Sequence, residues 1–173
     1  MNIINTQIFD EIYDKYKDLV FNLSLQYSQN VQDAEEITQD VFVKIYYKID
    51  SFRNEATIKT WIYRITVNQS LDFIKHKKRK RRGFITSLLG NDKMNEDHLL
   101  PDFDHPGILM EQDESLKRLM QKIYQLKGNQ KTVIILLKIE GLSQKKVAEI
   151  MKLSVKSVDS LFQRAKINLK KSL

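Results

Sequence analysis

Residues 141–173 read GLSQKKVAEIMKLSVKSVDSLFQRAKINLKKSL. Two stretches of helical apolar spacing each follow a serine able to cap them. Ser143 precedes Gln144–Met151, Ser154 precedes Val155 onward, and only Lys152 and Leu153 are left to complete the turn. Ala148 supplies a small residue where the helices must approach. Val147 and Ile150 face inward, and Val158, Leu161 and Phe162 anchor the second helix from below. This is the form of a helix-turn-helix, whose second helix lies in the major groove of duplex DNA with its first turns on base edges. A plain helical hairpin shares the hydrophobic spacing, so the outward residues carry the distinction. They are Lys156, Ser157, Asp159, Ser160, Gln163 and Arg164. Gln and Arg can bind adenine and guanine through two hydrogen bonds each, while Lys166, Lys170 and Lys171 suit phosphates.

Upstream, Leu116, Leu119, Ile123 and Leu126 line one expected helix, ended by Gly128 and Asn129; Val133, Ile134, Leu136, Leu137 and Ile139 line the next, which stops at Gly141. Residues 83–113 lose this pattern. They contain both prolines, three glycines and many acids, and are expected to form a linker with at most one short helical turn at Phe84–Leu89. Before it, three helices are expected to make an N-terminal bundle. Thr6 is placed to cap the first, which buries Ile8, Phe9, Ile12, Tyr16, Val20 and Leu23. Asp33, with Glu36 three residues on, is placed to cap the second, which buries Ile37, Val41, Ile45 and Ile49. After the loop Asp50–Thr57, with its lone aromatic Phe52, the third runs from Ile58 past Lys75 with Ile58, Trp61, Ile62 and Ile65 as its packing side. The fold expected is all-α: a helical bundle over 1–82, a linker over 83–113 and a helix-turn-helix domain over 114–173.

The charge layout agrees with two modules. The 173 residues carry 29 basic and 22 acidic side chains, for a formal net charge of +7. Residues 1–74 hold 11 acids and 7 bases, residues 75–82 hold 7 bases, residues 83–114 hold 8 acids and 1 base, and residues 115–173 hold 3 acids and 14 bases. The two basic blocks fit a polyanion and the first acidic block a basic protein partner. Cysteine is absent, which removes disulfides, thiolate nucleophiles and zinc-thiolate sites and suits a reducing cytosol. The N-terminal stretch lacks a signal-peptide pattern, and no run nears the roughly 20 apolar residues of a membrane span, so a soluble cytoplasmic protein is expected.

The basic block continues a helical face. In WIYRITVNQSLDFIKHKKRKRR, residues 61–82, Asn68, Asp72, Lys75 and Arg79 step by four, three and four and therefore share one side. Asn can hydrogen-bond an extruded base on its Watson–Crick edge, and the run after it can follow a phosphate backbone. Trp61 and Tyr63 on the helix, and Phe52 in the loop, can stack on unpaired bases, although Trp61 fits a core position better.

Three segments together resemble a known family: DAEEITQDVFVKIYYKIDSF, TWIYRITVNQSLDFIKHKKRK and GLSQKKVAEIMKLSVKSVDSLFQRAKINLKKSL. In order, they resemble conserved regions two and four of bacterial RNA polymerase sigma factors of the sigma-70 family, in the extracytoplasmic-function (ECF) arrangement. The DAEE-x-TQ-x-VF, TW-x-YRI-x-x-N and RA-x-x-x-L elements carry the likeness. The resemblance implies a transcription-initiation factor without catalysis or cofactor. Asp33, Glu35, Glu36, Gln39 and Asp40 match the helix that docks on the clamp helices of the polymerase largest subunit, and the second-largest subunit's flap is the other implied contact. The loop with Phe52, and Asn68, match the elements that capture a flipped base of the minus-ten element. Asp72, Lys75, Lys77, Lys78 and Arg79 match the part continuing along that DNA. Lys156, Ser157, Ser160, Gln163, Arg164 and Lys166 match readers of the minus-thirty-five duplex. Asp159 stands where many relatives carry Arg or Lys, and an acid there repels phosphate unless it accepts from a cytosine amino group. An anti-sigma protein is the further implied partner.

The main rival is a stand-alone helix-turn-helix regulator of duplex DNA, which needs neither the acidic helix at 33–40 nor Asn68. A metal-dependent enzyme fits less well, because His76, His98 and His105 have no helical ligand spacing.

Overall fold

The computed structural model describes residues 3–52, 56–89 and 114–172, and among them every regular element is a helix. The expected all-α class is what forms. Loop residues 53–55 and the greater part of the expected linker, from residue 90 to 113, lie outside the described residues.

One compact unit holds α1 (Ile3–Ser28), α2 (Val31–Lys48) and α3 (Ile58–Leu89) from Ile65 onward. Its α1 and α2 pack through Val20, Leu23, Ile37, Val41 and Ile45, all without solvent exposure, as the three-four spacing predicts. Phe9, Tyr13, Phe42 and Tyr46 extend this contact, with Phe9 edge-on to Tyr46 at 5.3 Å between centroids. Ile8, expected inside, is exposed.

Both expected caps of these helices move. Thr6 lies inside α1, which already begins at Ile3. The cap of α2 is Asn30, whose side chain accepts from the Asp33 backbone N–H at 2.9 Å, so Asp33 is the third helical residue. The chain reaches Asn30 through Gln29, held at φ 57° with its N–H bonded to the Leu25 carbonyl at 2.8 Å. That tight turn, rather than a polar loop up to Asp33, sets where α2 starts.

Helix α3 also differs from its expected form. It passes through Gly83 and ends at Leu89, so the turn expected at Phe84–Leu89 is its last stretch. Gly inside a helix costs only about 1 kcal/mol against Ala, within reach of the strong helix formers before it. Its buried side is more polar than expected. Thr60, Thr66 and Ser70 are fully buried and Gln69 nearly so, while Trp61 and Ile65 are only partly covered.

The second unit holds Phe52 and the first turns of α3 as far as Arg64 together with α4 (Glu114–Gln125), α5 (Gly128–Ile134), α6 (Gln144–Met151) and α7 (Val155–Ser172). Gly128, expected to end a helix, opens α5 at φ 50°. α5 runs into a single π turn, Ile135–Ile139, closed by the Glu140 N–H on the Ile135 carbonyl at 2.9 Å. Ile123, Ile134, Ala165 and Leu169 form one core cluster, with Leu119, Met120, Leu126 and Phe162 against it. Thr57 caps α3, its hydroxyl receiving the Thr60 N–H at 3.3 Å. Three polar contacts join this segment to the C-terminal helices inside the unit. The Tyr63 hydroxyl donates to Glu140 at 2.9 Å, Arg64 donates to the Glu149 carbonyl at 2.8 Å, and the Lys146 ammonium donates to the Thr57 hydroxyl at 3.4 Å. Burial, and then the charge of Glu140, drive the Tyr63 phenol pKa well above its ordinary value.

Candidate nucleic-acid and docking faces

The helix-turn-helix forms as its sequence dictates. The Ser143 hydroxyl accepts from the Lys146 N–H at 3.3 Å, and the Ser154 hydroxyl from the Ser157 N–H at 3.1 Å. Lys152 takes the left-handed conformation at φ 54°, and Leu153 donates its N–H to the Ala148 carbonyl at 3.0 Å. Val147, Ala148, Ile150 and Val158 are buried between α6 and α7.

This leaves Lys156, Ser160, Gln163, Arg164 and Lys166 exposed on α7, on the side expected to meet DNA. Ser157 is only partly exposed, and its hydroxyl shares a 2.8 Å hydrogen bond with Ser154, so it serves the cap as well as the surface. The Gln163 amide donates to the Asp159 carboxylate at 3.4 Å, one turn back. The acid at 159 thus has a partner on its own helix.

On α3, Asn68, Asp72, Lys75 and Arg79 are all exposed and share one face. Lys75, Lys78, Arg79 and Arg82, with Leu71 and Ile74, line a shallow groove continuing from it. Lys77 does not belong to that face. It points to α2 and donates to the Asp33 carboxylate at 2.7 Å. Phe52 and Trp61 are both partly covered, with ring centroids 5.2 Å apart, so Trp61 packs on the loop aromatic.

The acids of α2 divide into two sets. Glu35, Glu36 and Gln39 are exposed on its outer side. Asp33 is tied to Lys77, its side chain only 17% exposed, and Asp40 accepts from the Gln69 amide at 2.6 Å. Sequence reasoning missed Gln69, whose signal was its place four residues after Ile65 and seven after Ile62, on the expected packing side of α3. It also missed Val43 and Tyr47, 53% and 79% exposed, which continue the outer side of α2 beyond Gln39. Their signal was two apolar residues four apart and off the buried face. Among the described residues no group of His, Asp and Glu side chains is placed to hold a metal, and no helix is long and apolar enough to cross a membrane.

Residues 12–80 match the sigma-70 region 2 family and residues 116–169 the sigma-70 region 4 family. An ECF RNA polymerase sigma-E factor of Haemophilus influenzae is 34% identical over 162 residues, covering 91% of this chain and 83% of that one. The ECF RNA polymerase sigma factor SigW of Bacillus subtilis is 31% identical over 166 residues, covering 95% and 88%. The sigma factor RpoE of Bartonella quintana, solved in complex with the anti-sigma factor NepR, shares the fold with a TM-score of 0.67 at 21% identity over 95% of this chain and 96% of that one. CnrH, solved with the cytosolic domain of CnrY, does so with a TM-score of 0.64 at 20% identity over 96% and 87%. The chain belongs to the sigma-70 family of RNA polymerase sigma factors, in its ECF group. It is a transcription-initiation factor of a family without enzymatic activity.

Proposed function

We propose that the chain joins core RNA polymerase through the outer side of α2, reads the minus-thirty-five duplex with α7, and holds the opened minus-ten strand along α3. The carrying observation is that one compact unit presents an acidic helix side and, on a second helix, an exposed Asn leading into an exposed basic groove. A duplex-only regulator has no use for either. Glu35, Glu36 and Gln39, continued by Val43 and Tyr47, offer the clamp helices of the largest subunit an acidic patch with an apolar end; Asp33 and Asp40 complete the acidic side. The flap of the second-largest subunit is the contact assigned to the C-terminal domain. The division into a bundle over 1–82, a tether over 83–113 and a duplex-reading domain over 114–173 is supported by the two family matches. Such a factor works in the cytoplasm, where the polymerase is.

On the promoter, Lys156, Ser157, Ser160, Gln163, Arg164 and Lys166 take the minus-thirty-five duplex, Gln163 and Arg164 on base edges and the lysines on phosphate. Asn68, with the Phe52 loop, receives the extruded base, and Asp72, Lys75, Lys78 and Arg79 follow the strand. Lys77, bound to Asp33, serves that strand only as part of the field of the run. Opening costs a few kcal/mol of unstacking per base, which capture and phosphate contacts offset. CnrH was solved with the cytosolic domain of CnrY and RpoE with the anti-sigma factor NepR, which supports an anti-sigma partner for this chain.

In vitro transcription from a promoter library, with core polymerase and with or without the chain, tests the reading. The expected result is a set of promoter-specific transcripts that appears only with the chain. Tight sequence-specific duplex binding by the chain alone, with no such transcripts, would favour a stand-alone regulator instead.

A further inference from the structure

Gln69 is 9% exposed and sits on the side of α3 that meets α2. Both ends of its amide are used: the nitrogen donates to Asp40 at 2.6 Å and the oxygen accepts from the Lys44 ammonium. A second pin lies two turns further along α3, where Lys77 donates to Asp33 at 2.7 Å, and Asp33 is two turns back from Asp40 on α2. The pairings run in opposite directions along the two helices, so together they fix both the register and the rotation of α3 on α2. The rest of this side of α3 is the buried Ile62, Thr66 and Ser70 and the partly buried Phe73, whose packing holds the helix in place but is not directional in the way an amide is. A buried amide is directional, since a helix rotated by one residue, about 100°, leaves it unpaired. The face of Asn68, Asp72, Lys75 and Arg79 lies about 130° around α3 from the pinned side, so its aim follows directly from the pins.

We infer that Gln69 is a positioning residue for promoter opening: by bridging Asp40 and Lys44 of α2 it sets the rotation of α3 and hence the outward aim of Asn68. The inference rests on the reading of Asn68 as the base-capturing residue.

The test uses holoenzyme assembled from the full chain and a promoter with a fluorescent base analogue in the minus-ten non-template strand. Gln69→Met keeps the length of the side chain and removes both hydrogen bonds. Opening is expected to fall about tenfold, the scale of one lost buried pairing, with core-polymerase affinity and closed-duplex binding within about twofold of the parent. Lys44→Met, at an exposed position that does not threaten folding, is expected to give a smaller defect of the same kind. The deciding comparison is Gln69→Met combined with Asn68→Ala, whose defect should fall clearly short of the sum of the two single defects, because the base contact can be lost only once. A purely structural role of Gln69 gives additive defects instead, and additivity overturns the inference. So does an opening defect matched by an equal loss of core affinity, or normal opening in Gln69→Met and Lys44→Met while Asn68→Ala is impaired. If Asn68→Ala itself opens normally, the reading of Asn68 fails first and the inference with it.

Discussion

The faces of α3 and α7 assigned to nucleic acid are aimed by different means. Behind α7 stand Val158, Ala165 and Leu169, apolar residues in a closely packed core. Behind α3, from Asn68 onward, the buried Ser70 and partly buried Phe73 are joined by Gln69 and Lys77, held by hydrogen bonds and an ion pair to α2. Apolar packing is strong but non-directional, and shape alone sets the angle of the helix. Polar pins add less net stability but penalise the wrong rotation, because a buried amide without a partner is costly. A duplex presents a rigid groove, for which a stably docked helix suffices. The proposed capture of an unpaired base asks for one side chain at one angle, and the directional support lies behind Asn68, the residue proposed for it.

The comparison can be broken most forcefully from the apolar side. Ile150 is 2% exposed between α6 and α7, and Ile150→Ala should lower unfolding stability by about 2–5 kcal/mol in urea denaturation followed by circular dichroism. An unchanged midpoint would mean the helix-turn-helix does not depend on this core. A smaller loss separates the two faces by function. Asn68→Ala should reduce promoter opening by about 1–3 kcal/mol of base discrimination, with closed-duplex binding retained. Equal losses in strand-opening fluorescence and duplex gel shift would erase the distinction. Arg164→Ala should lose a comparable or smaller amount, and only on templates that carry a minus-thirty-five element; the same defect without that element counts against base readout by α7.

Salt titration sharpens the contrast within α3 itself. Removing Arg79 should lower the slope of log affinity against log salt by about one, the signature of a lost phosphate contact. Lys77→Ala should change that slope less, because its ammonium is already paired with Asp33. Equal slopes for the two variants would place Lys77 on the strand after all. The smallest effect is on alkaline stability. Burial raises the Tyr124 phenol to about 12, above its unfolded value near 10, so the native state holds its proton longer than the unfolded state does. Its contribution is therefore complete below pH of about 10 and is lost as pH rises through about 12, and Tyr124→Phe should flatten that loss in thermal melts.

Most of the fold was legible because it is written in periodicity and caps. Ser143 and Ser154 cap where the sequence predicts, and Ile37, Val41 and Ile45 are buried as their spacing requires. The misplaced starts have a local cause. Asp33 looks like a cap, and only the left-handed turn at Gln29 shows that Asn30 takes that place. The site was half legible for a different reason. The exposed set on α3 follows from four-three-four spacing, but nothing in a run of seven like charges marks Lys77 as paired with an acid of α2. Its role depends on which residue of α2 lies opposite, a tertiary fact. Gln69 escaped because a polar residue in a helix is scored as outward, and that rule fails wherever two helices exchange hydrogen bonds instead of methyl groups.

The length of α3 carries a last consequence. Thirty-two residues of unbroken helix, from Ile58 to Leu89, make a rod about 48 Å long on which Asn68 and Arg79 keep a separation of about 16 Å. The rod works as a ruler with an angular scale. Inserting one residue between Asn68 and Lys75 would lengthen it by only about 1.5 Å but turn the basic groove about 100° away from the side that Asn68 occupies, whereas seven inserted residues nearly restore the phase. This helix can change length between its functional residues only in steps of whole turns.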